Sequence, residues 1–173
     1  MKNIQKKSIL LVADEIDSTL SLKKSLEQNN YQIIVVSSKK KAIETLKNNP
    51  EIDLVLIDID LSEKLCSVKT AKSLLKIQEI PVIFLFSQTK KEIIEKTLEI
   101  ASYGYVEKSS EISILAASIK NAIKLFNSKQ KVKQEKSKFK NIADHANEGI
   151  FVIDEKGNHL YANFQASQIT GYT

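Results

Sequence analysis

Short runs of Ile, Val and Leu recur along the chain, each followed by a polar stretch in which apolar residues return at helical spacing. The runs are Ser8–Ala13, Tyr31–Val36, Ile52–Asp58, Pro81–Phe86 and Tyr103–Val106. They are long enough for strands and too short for helices, and their near-continuous apolar character predicts burial on both faces of a sheet. Pro81 opens its run, where a strand tolerates proline. The intervening stretches predict helices over Asp17–Asn29, Lys39–Asn48, Ser67–Ile77, Thr89–Ile100 and Glu111–Phe126. Leu20, Leu22 and Leu26 mark the inner face of the first, Ala42, Ile43 and Leu46 that of the second, and Ala71, Leu74 and Leu75 that of the third. Five strands, each followed by a helix, predict an α/β fold with a doubly wound parallel sheet. Right-handed crossovers place helices on both of its faces.

Past Phe126 the pattern changes. No proline or glycine stops the preceding helix, so it is expected to continue to about Asp144. Leu125, Val132, Phe139 and Ala146 recur every seven residues, but the companion positions Ser128 and Glu135 are polar, which makes half a coiled-coil seam. Gly149–Ile153 then reads as a strand, Asp154–Asn158 as a turn and His159–Ala162 as the hairpin partner. Asn163 caps a last short helix through Thr170, closed by Gly171.

Composition removes several function classes. The net charge is +5, yet all 26 basic residues are lysine, and base readout and phosphate forks lean on arginine. Six of the lysines (129, 131, 133, 136, 138 and 140) crowd one stretch against a single acid, Glu135, and read as a solvated helix face. A nucleic-acid partner is not expected. The glycines stand at 104, 149, 157 and 171, so neither the dinucleotide fingerprint nor the P-loop is present after an early strand. With Cys66 the only cysteine and His145 and His159 distant from it, neither an internal disulfide nor a zinc site is expected. A reducing, cytoplasmic setting follows, with no membrane span in this segment.

Candidate chemistry sits at strand ends. Asp14 and Glu15 follow the first strand, Asp58 ends the third, and Lys108 lies just past the fifth. Open α/β sheets bind ligands at their carboxyl edge. A helix-capping aspartate is the alternative for Asp58 taken alone. Clustered carboxylates near a lysine suit a hard cation and a phosphoryl group.

The segments ILLVADEID (9–17), DLVLIDIDL (53–61), TAKSLL (70–75), IPVIFLFS (80–87) and YGYVEK (103–108), in this order, resemble the receiver domain of two-component response regulators. The resemblance covers roughly residues 6–126 and implies a flavodoxin-like sheet ordered 2-1-3-4-5. It makes Asp58 the phosphoacceptor, attacking a phosphohistidine of a histidine kinase or phosphotransfer protein. It implies Mg2+ held by Asp14, Asp58 and the backbone carbonyl of Asp60, with Glu15 as a possible substitute acid. Lys108 would pair with a phosphoryl oxygen, and Ser87 and Tyr105 would be the switch residues. The sequence departs from the family pattern at four places. Ala13 stands where the first acid of the pair belongs, and Ile16 replaces a common proline. Phe86 takes the hydroxyl position by count, with Ser87 one residue later. Ser109 replaces the proline after the lysine, so no cis peptide is expected there.

Residues 139–173, FKNIADHANEGIFVIDEKGNHLYANFQASQITGYT, resemble the opening of a PAS sensor domain. The expected organisation is a receiver over 1–126, a lysine-rich helical linker over 127–146, and an incomplete PAS start over 147–173, as a piece of a longer receiver–PAS sensor or kinase. A homodimer through the C-terminal helix is expected, using Leu125, Val132, Phe139 and Ile142. The main reading is a phosphoacceptor module and not an enzyme. The alternatives are a pseudo-receiver acting as a dimerisation or interaction module, and a Mg2+-dependent phosphatase-like enzyme with Asp60 as general acid. A DNA-binding regulator is disfavoured, because strands follow the lysine-rich helix instead of a helix-turn-helix.

Overall fold

The central strands are near-continuous apolar runs because nearly every position in them is covered, whichever face its side chain takes, whereas the edge strands are half-buried or exposed at most positions. In the computed structural model, which describes residues 6–14, 16–59, 67–87, 100 and 102–171, five parallel strands form one sheet. They are β1 (Lys7–Val12), β2 (Tyr31–Val36), β3 (Ile52–Asp58), β4 (Val82–Phe86) and β5 (Gly104–Glu107), in the order β2-β1-β3-β4-β5. Alternate residues of a strand feed two separate cores. Leu10, Val12, Val55, Ile57 and Phe84 join Ala42 and Leu46 of helix α2 (Lys39–Asn48) and Ala71 and Leu74 of α3 (Ser67–Leu75). Ile9, Leu11, Leu54, Leu56 and Leu85 join Leu26 of α1 (Ile16–Gln28) and Leu115, Ile119 and Ala122 of the long helix α4 (Ile112–Asp144). The fold is flavodoxin-like, as expected.

Element ends follow local chemistry. Ser38 caps α2, its side chain accepting from the Lys41 N–H at 3.2 Å. Asn30 turns the chain after α1 at φ 68°, a left-handed conformation that asparagine tolerates. Helix α3 closes two residues earlier than its apolar spacing suggests, because Ile77 and Gln78 both donate to the Leu74 carbonyl. β1 begins at Lys7, whose ammonium meets Asp53 of β3 at 2.7 Å. The helix expected over Thr89–Ile100 lies outside the described residues, apart from Ile100 itself.

The chain divides into two compact units, 1–126 and 127–173. In the second, β6 (Phe151–Ile153) and β7 (His159–Ala162) form an antiparallel hairpin, followed by α5 (Phe164–Thr170). Asn163 caps α5 and Gly171 closes it at φ 72°, as the sequence predicts. The glycine at 149 has a packing reason: an added Cβ would stand 3.1 Å from Ala166 Cα. Among the described residues no helix is long and apolar enough to cross a membrane.

Candidate functional site at the carboxyl edge of the sheet

Strand register assembles this site. β1 and β3 pair with Val12 opposite Ile57, so Ala13 comes level with Asp58, and Asp14 is the next residue along. β3 and β4 pair with Asp58 opposite Leu85, and Ile59 donates to the Leu85 carbonyl at 2.7 Å. β4 and β5 pair with Phe86 opposite Glu107, and the Lys108 N–H reaches the Phe86 carbonyl at 2.8 Å. Residues from four stretches of chain therefore end at one level.

The central contact is ionic. Lys108 Nζ lies 2.6 Å from Asp58 Oδ2, with side-chain exposures of 29% and 13%. Such a charge-assisted hydrogen bond in a half-dry setting is stronger than a surface pair. It holds a lysine cation against the oxygen-rich end of β3, where an added anionic group would also be met. Ser87 follows β4 and is exposed. Ser109 donates from Oγ to Glu107 Oε1 at 2.6 Å, and the Lys108–Ser109 bond is trans, since no described peptide bond is cis.

Tyr105 takes the other face. Opposite Phe84 in the β4–β5 register, it stacks on that ring with centroids 5.7 Å apart and planes 20° apart. Its hydroxyl is buried with no hydrogen-bond partner among the described residues. An unsatisfied buried hydroxyl costs about 1–3 kcal/mol, so this ring position is held by stacking against a polar cost. The sequence marks Tyr105 by its spacing from Lys108, but not this inward placement.

A cavity of about 290 Å³ opens beside the ion pair, bordered by Ala13, Thr19, Leu22, Ser25 and Ser110 as well as Asp58 and Lys108. Sequence reading missed its hydroxyl rim. The only available signal was the run of Ser and Thr on α1, which also suits an ordinary solvated helix.

Glu15 and Asp60, expected near a metal, lie outside the described residues, as does Cys66. Among the described residues no cluster of three or more His, Cys, Asp or Glu side chains is placed to hold a metal ion. Asp14 and Asp58 end neighbouring strands, and their carboxylates are the hard oxygen donors that Mg2+ takes. The donors fit in kind, with Ala13, 3% exposed, where a further acid would strengthen them.

Comparison with known proteins agrees with this arrangement. Residues 9–120 match the response regulator receiver domain. The chain is 30% identical over 112 residues to the transcriptional regulatory protein CpxR of Escherichia coli, covering 65% of this chain and 47% of CpxR. The response regulator GraR of Staphylococcus aureus is 27% identical over 112 residues, 64% of this chain and 49% of its own. This chain thus spans about half the length of the curated relatives it matches. Among solved structures, it resembles the N-terminal domain of a response regulator/sensory box/GGDEF three-domain protein from Carboxydothermus hydrogenoformans. That likeness has a TM-score of 0.66 at 30% identity and covers 71% of this chain and 98% of that one. A receiver domain from Methanospirillum hungatei shares the fold at TM-score 0.64 and 20% identity, over 72% of this chain and 98% of its own. On its strand order, its strand-end chemistry and this family match, the chain belongs to the response regulator receiver family.

Proposed function

We infer that this chain is a phosphoacceptor receiver of a two-component relay, with Asp58 as the acceptor. The observation that carries the reading is the 2.6 Å contact between Lys108 Nζ and Asp58 Oδ2 at the carboxyl edge of the sheet. The Asp58 carboxylate attacks the phosphorus of a phosphohistidine on a histidine kinase or phosphotransfer protein. An O–P bond forms, the P–N bond breaks, and the imidazole leaves with the electron pair. Lys108, already seated at the carboxylate, turns to a phosphoryl oxygen and balances the charge that arrives. Mg2+, where bound, neutralises charge on the transferring group; Asp14, Asp58 and the Asp60 carbonyl would hold it, with Glu15 a further candidate. Ser87 and Tyr105 then act as switch residues. The unsatisfied Tyr105 hydroxyl favours a second ring position, and phosphorylation shifts the balance between the two.

Output passes along α4 into residues 127–173, which open a PAS-type sensory domain. The three-domain relative from Carboxydothermus, in which a sensory box accompanies the receiver, supports this order. So do the exposed apolar residues Phe151, Ile153, Leu160, Phe164 and Ile169, a surface such a domain would bury. The exposed stripe on α4 offers a pairing face, for a second copy or for another helix.

A second reading, a pseudo-receiver working through partner contacts alone, is favoured by one observation: Ala13 occupies the position level with Asp58. Intact mass after incubation with Mg2+ and acetyl phosphate separates the two, with Asp58→Ala alongside. One added phosphoryl group, lost in the variant, is expected. No adduct at millimolar Mg2+ leaves the pseudo-receiver reading, and steady turnover of phosphoester points to the phosphatase-like enzyme.

A further inference from the structure

Ser25 of α1 and Ser110, just before α4, are both half-buried, and neither hydroxyl makes a hydrogen bond among the described residues. Both border the cavity of about 290 Å³ that opens between α1 and the start of α4. Its floor is apolar: Leu11 of β1, Leu85 of β4 and Leu115 of α4 are buried, and Leu22 of α1 is half-buried. Water can satisfy the two serines, but covering the leucines with carbon is what lowers the free energy. An apolar cavity of about 150 Å³ already takes a benzene ring, so this one has room for a ring and a short arm.

Charge selects the head group. Two carboxylates, Asp58 and Glu107, and one ammonium, Lys108, border the cavity, and Ala13 adds no charge. Lys108 is held by Asp58 at 2.6 Å. Among the described residues the Glu107 side chain meets only the Ser109 hydroxyl, also at 2.6 Å. Two negative charges against one positive leave the lining with a single uncompensated carboxylate, at its exposed edge. An entering anion must pull Lys108 off Asp58 or lie against Glu107, whereas a cation needs to do neither.

We propose that this cavity binds a small organic cation with an apolar body, in the class of the arylalkylamines. The ammonium pairs with Glu107 at the mouth, the ring covers the leucine floor, and Ser25 and Ser110 take up the remaining polar hydrogens. The exposed position of Glu107 makes its contribution one of choice between charges more than of affinity, which comes from the floor. Asp58 and Lys108 belong to the same wall, so an occupant lies against the acceptor's ion pair, and its binding is linked to the state of that pair. The inference does not depend on phosphorylation of Asp58.

The test uses the 173-residue chain without any phosphodonor, so failure of Asp58 as an acceptor leaves its outcomes untouched. The probes are phenethylamine, phenylpropionate, phenylethanol and ethylamine, which separate the head group from the body. Amide NMR should show saturable shifts at Ser25, Ser110 and Leu115 with phenethylamine. It should bind at least about tenfold tighter than phenylpropionate or ethylamine, and added salt should narrow the gap to phenylpropionate. Glu107→Gln should bring phenethylamine and phenylethanol to equal affinity. Ser25→Leu, which puts a larger side chain into the cavity, should abolish binding of both. Circular dichroism checks that this variant folds; if it does not, Ser110→Leu serves the same end. Equal binding of phenethylamine and phenylpropionate overturns the proposal, and so does binding that survives the filled cavity. Shifts confined to residues away from the cavity, or no saturable shift with any probe, overturn it as well.

Discussion

The two units are held together by different physics. In the first, β3 buries five of its seven residues, and the sheet has a closed apolar core on each face. In the second, the hairpin strands are exposed or half-buried at every position, and among the described residues only Ala143, Asn163 and Ala166 are buried. Burying a Leu or Ile side chain contributes roughly 1.5–3 kcal/mol, so the receiver sheet rests on many such terms. The C-terminal unit rests on directional bonds, and one buried residue takes part in four of them. Asn163 Oδ1 accepts from the N–H groups of Ile150 and Ala166, and its Nδ2 donates to the carbonyls of Ala143 and Glu148. That single amide joins the end of α4, the loop, the hairpin and α5.

Substitution can break the comparison from either side. Leu56→Ala removes a fully buried side chain from the sheet and should cost about 2–5 kcal/mol in urea denaturation of the first unit. The same truncation at Leu160 of the hairpin, 65% exposed, should stay within about 0.5 kcal/mol. Asn163→Ala should cost the second unit roughly 1–3 kcal/mol. Hydrogen exchange would then quicken at the Ile150 and Ala166 amides and remain unchanged in β1 and β3. Unchanged protection at both amides would show that the hub is dispensable. Tyr105→Phe sharpens the contrast in the opposite sense. Removing a buried hydroxyl that has no partner among the described residues should stabilise the first unit by about 1 kcal/mol, visible as a higher urea midpoint.

Proton linkage gives a final probe of the second unit. Tyr161 donates to Asp144 at 2.5 Å, and this bond first, then burial, then the nearby carboxylate charge push the phenol up to about 12. The tyrosine needs its proton to donate. The contribution is therefore complete below the ordinary tyrosine range near ~10 and is lost as pH climbs through about 12. Absorbance titration should find a tyrosine near 12 besides Tyr31 and Tyr103, which burial also raises, and Asp144→Asn should bring Tyr161 back toward the ordinary range. Asp154 points to the acid side: its bonds from Asn158 and Lys156 hold its carboxyl below the usual value. The turn it braces should keep that support until pH falls through the acidic range.

Much of the fold is legible from local rules. Continuous apolar runs mark β1 to β4 as strands covered on both faces, and the lack of any breaker after Phe126 carries α4 on to Asp144. The side-chain chemistry of Asn163 and the glycine at 171 delimit α5. These features depend on neighbours in sequence, where φ/ψ preference and apolar period act directly. The site is legible only as residue types at strand ends, supplemented by family resemblance. That Lys108 reaches Asp58, fifty positions earlier in the chain, was decided by the pairing of β3 with β4 and of β4 with β5. The inward Tyr105 ring depends on Phe84 as its stacking partner, and the four bonds of Asn163 depend on three other segments closing around it. Composition and period determine which elements form and which faces they bury. Contacts between residues distant in sequence are determined by packing, because their energy exists only once the whole sheet or hairpin has closed.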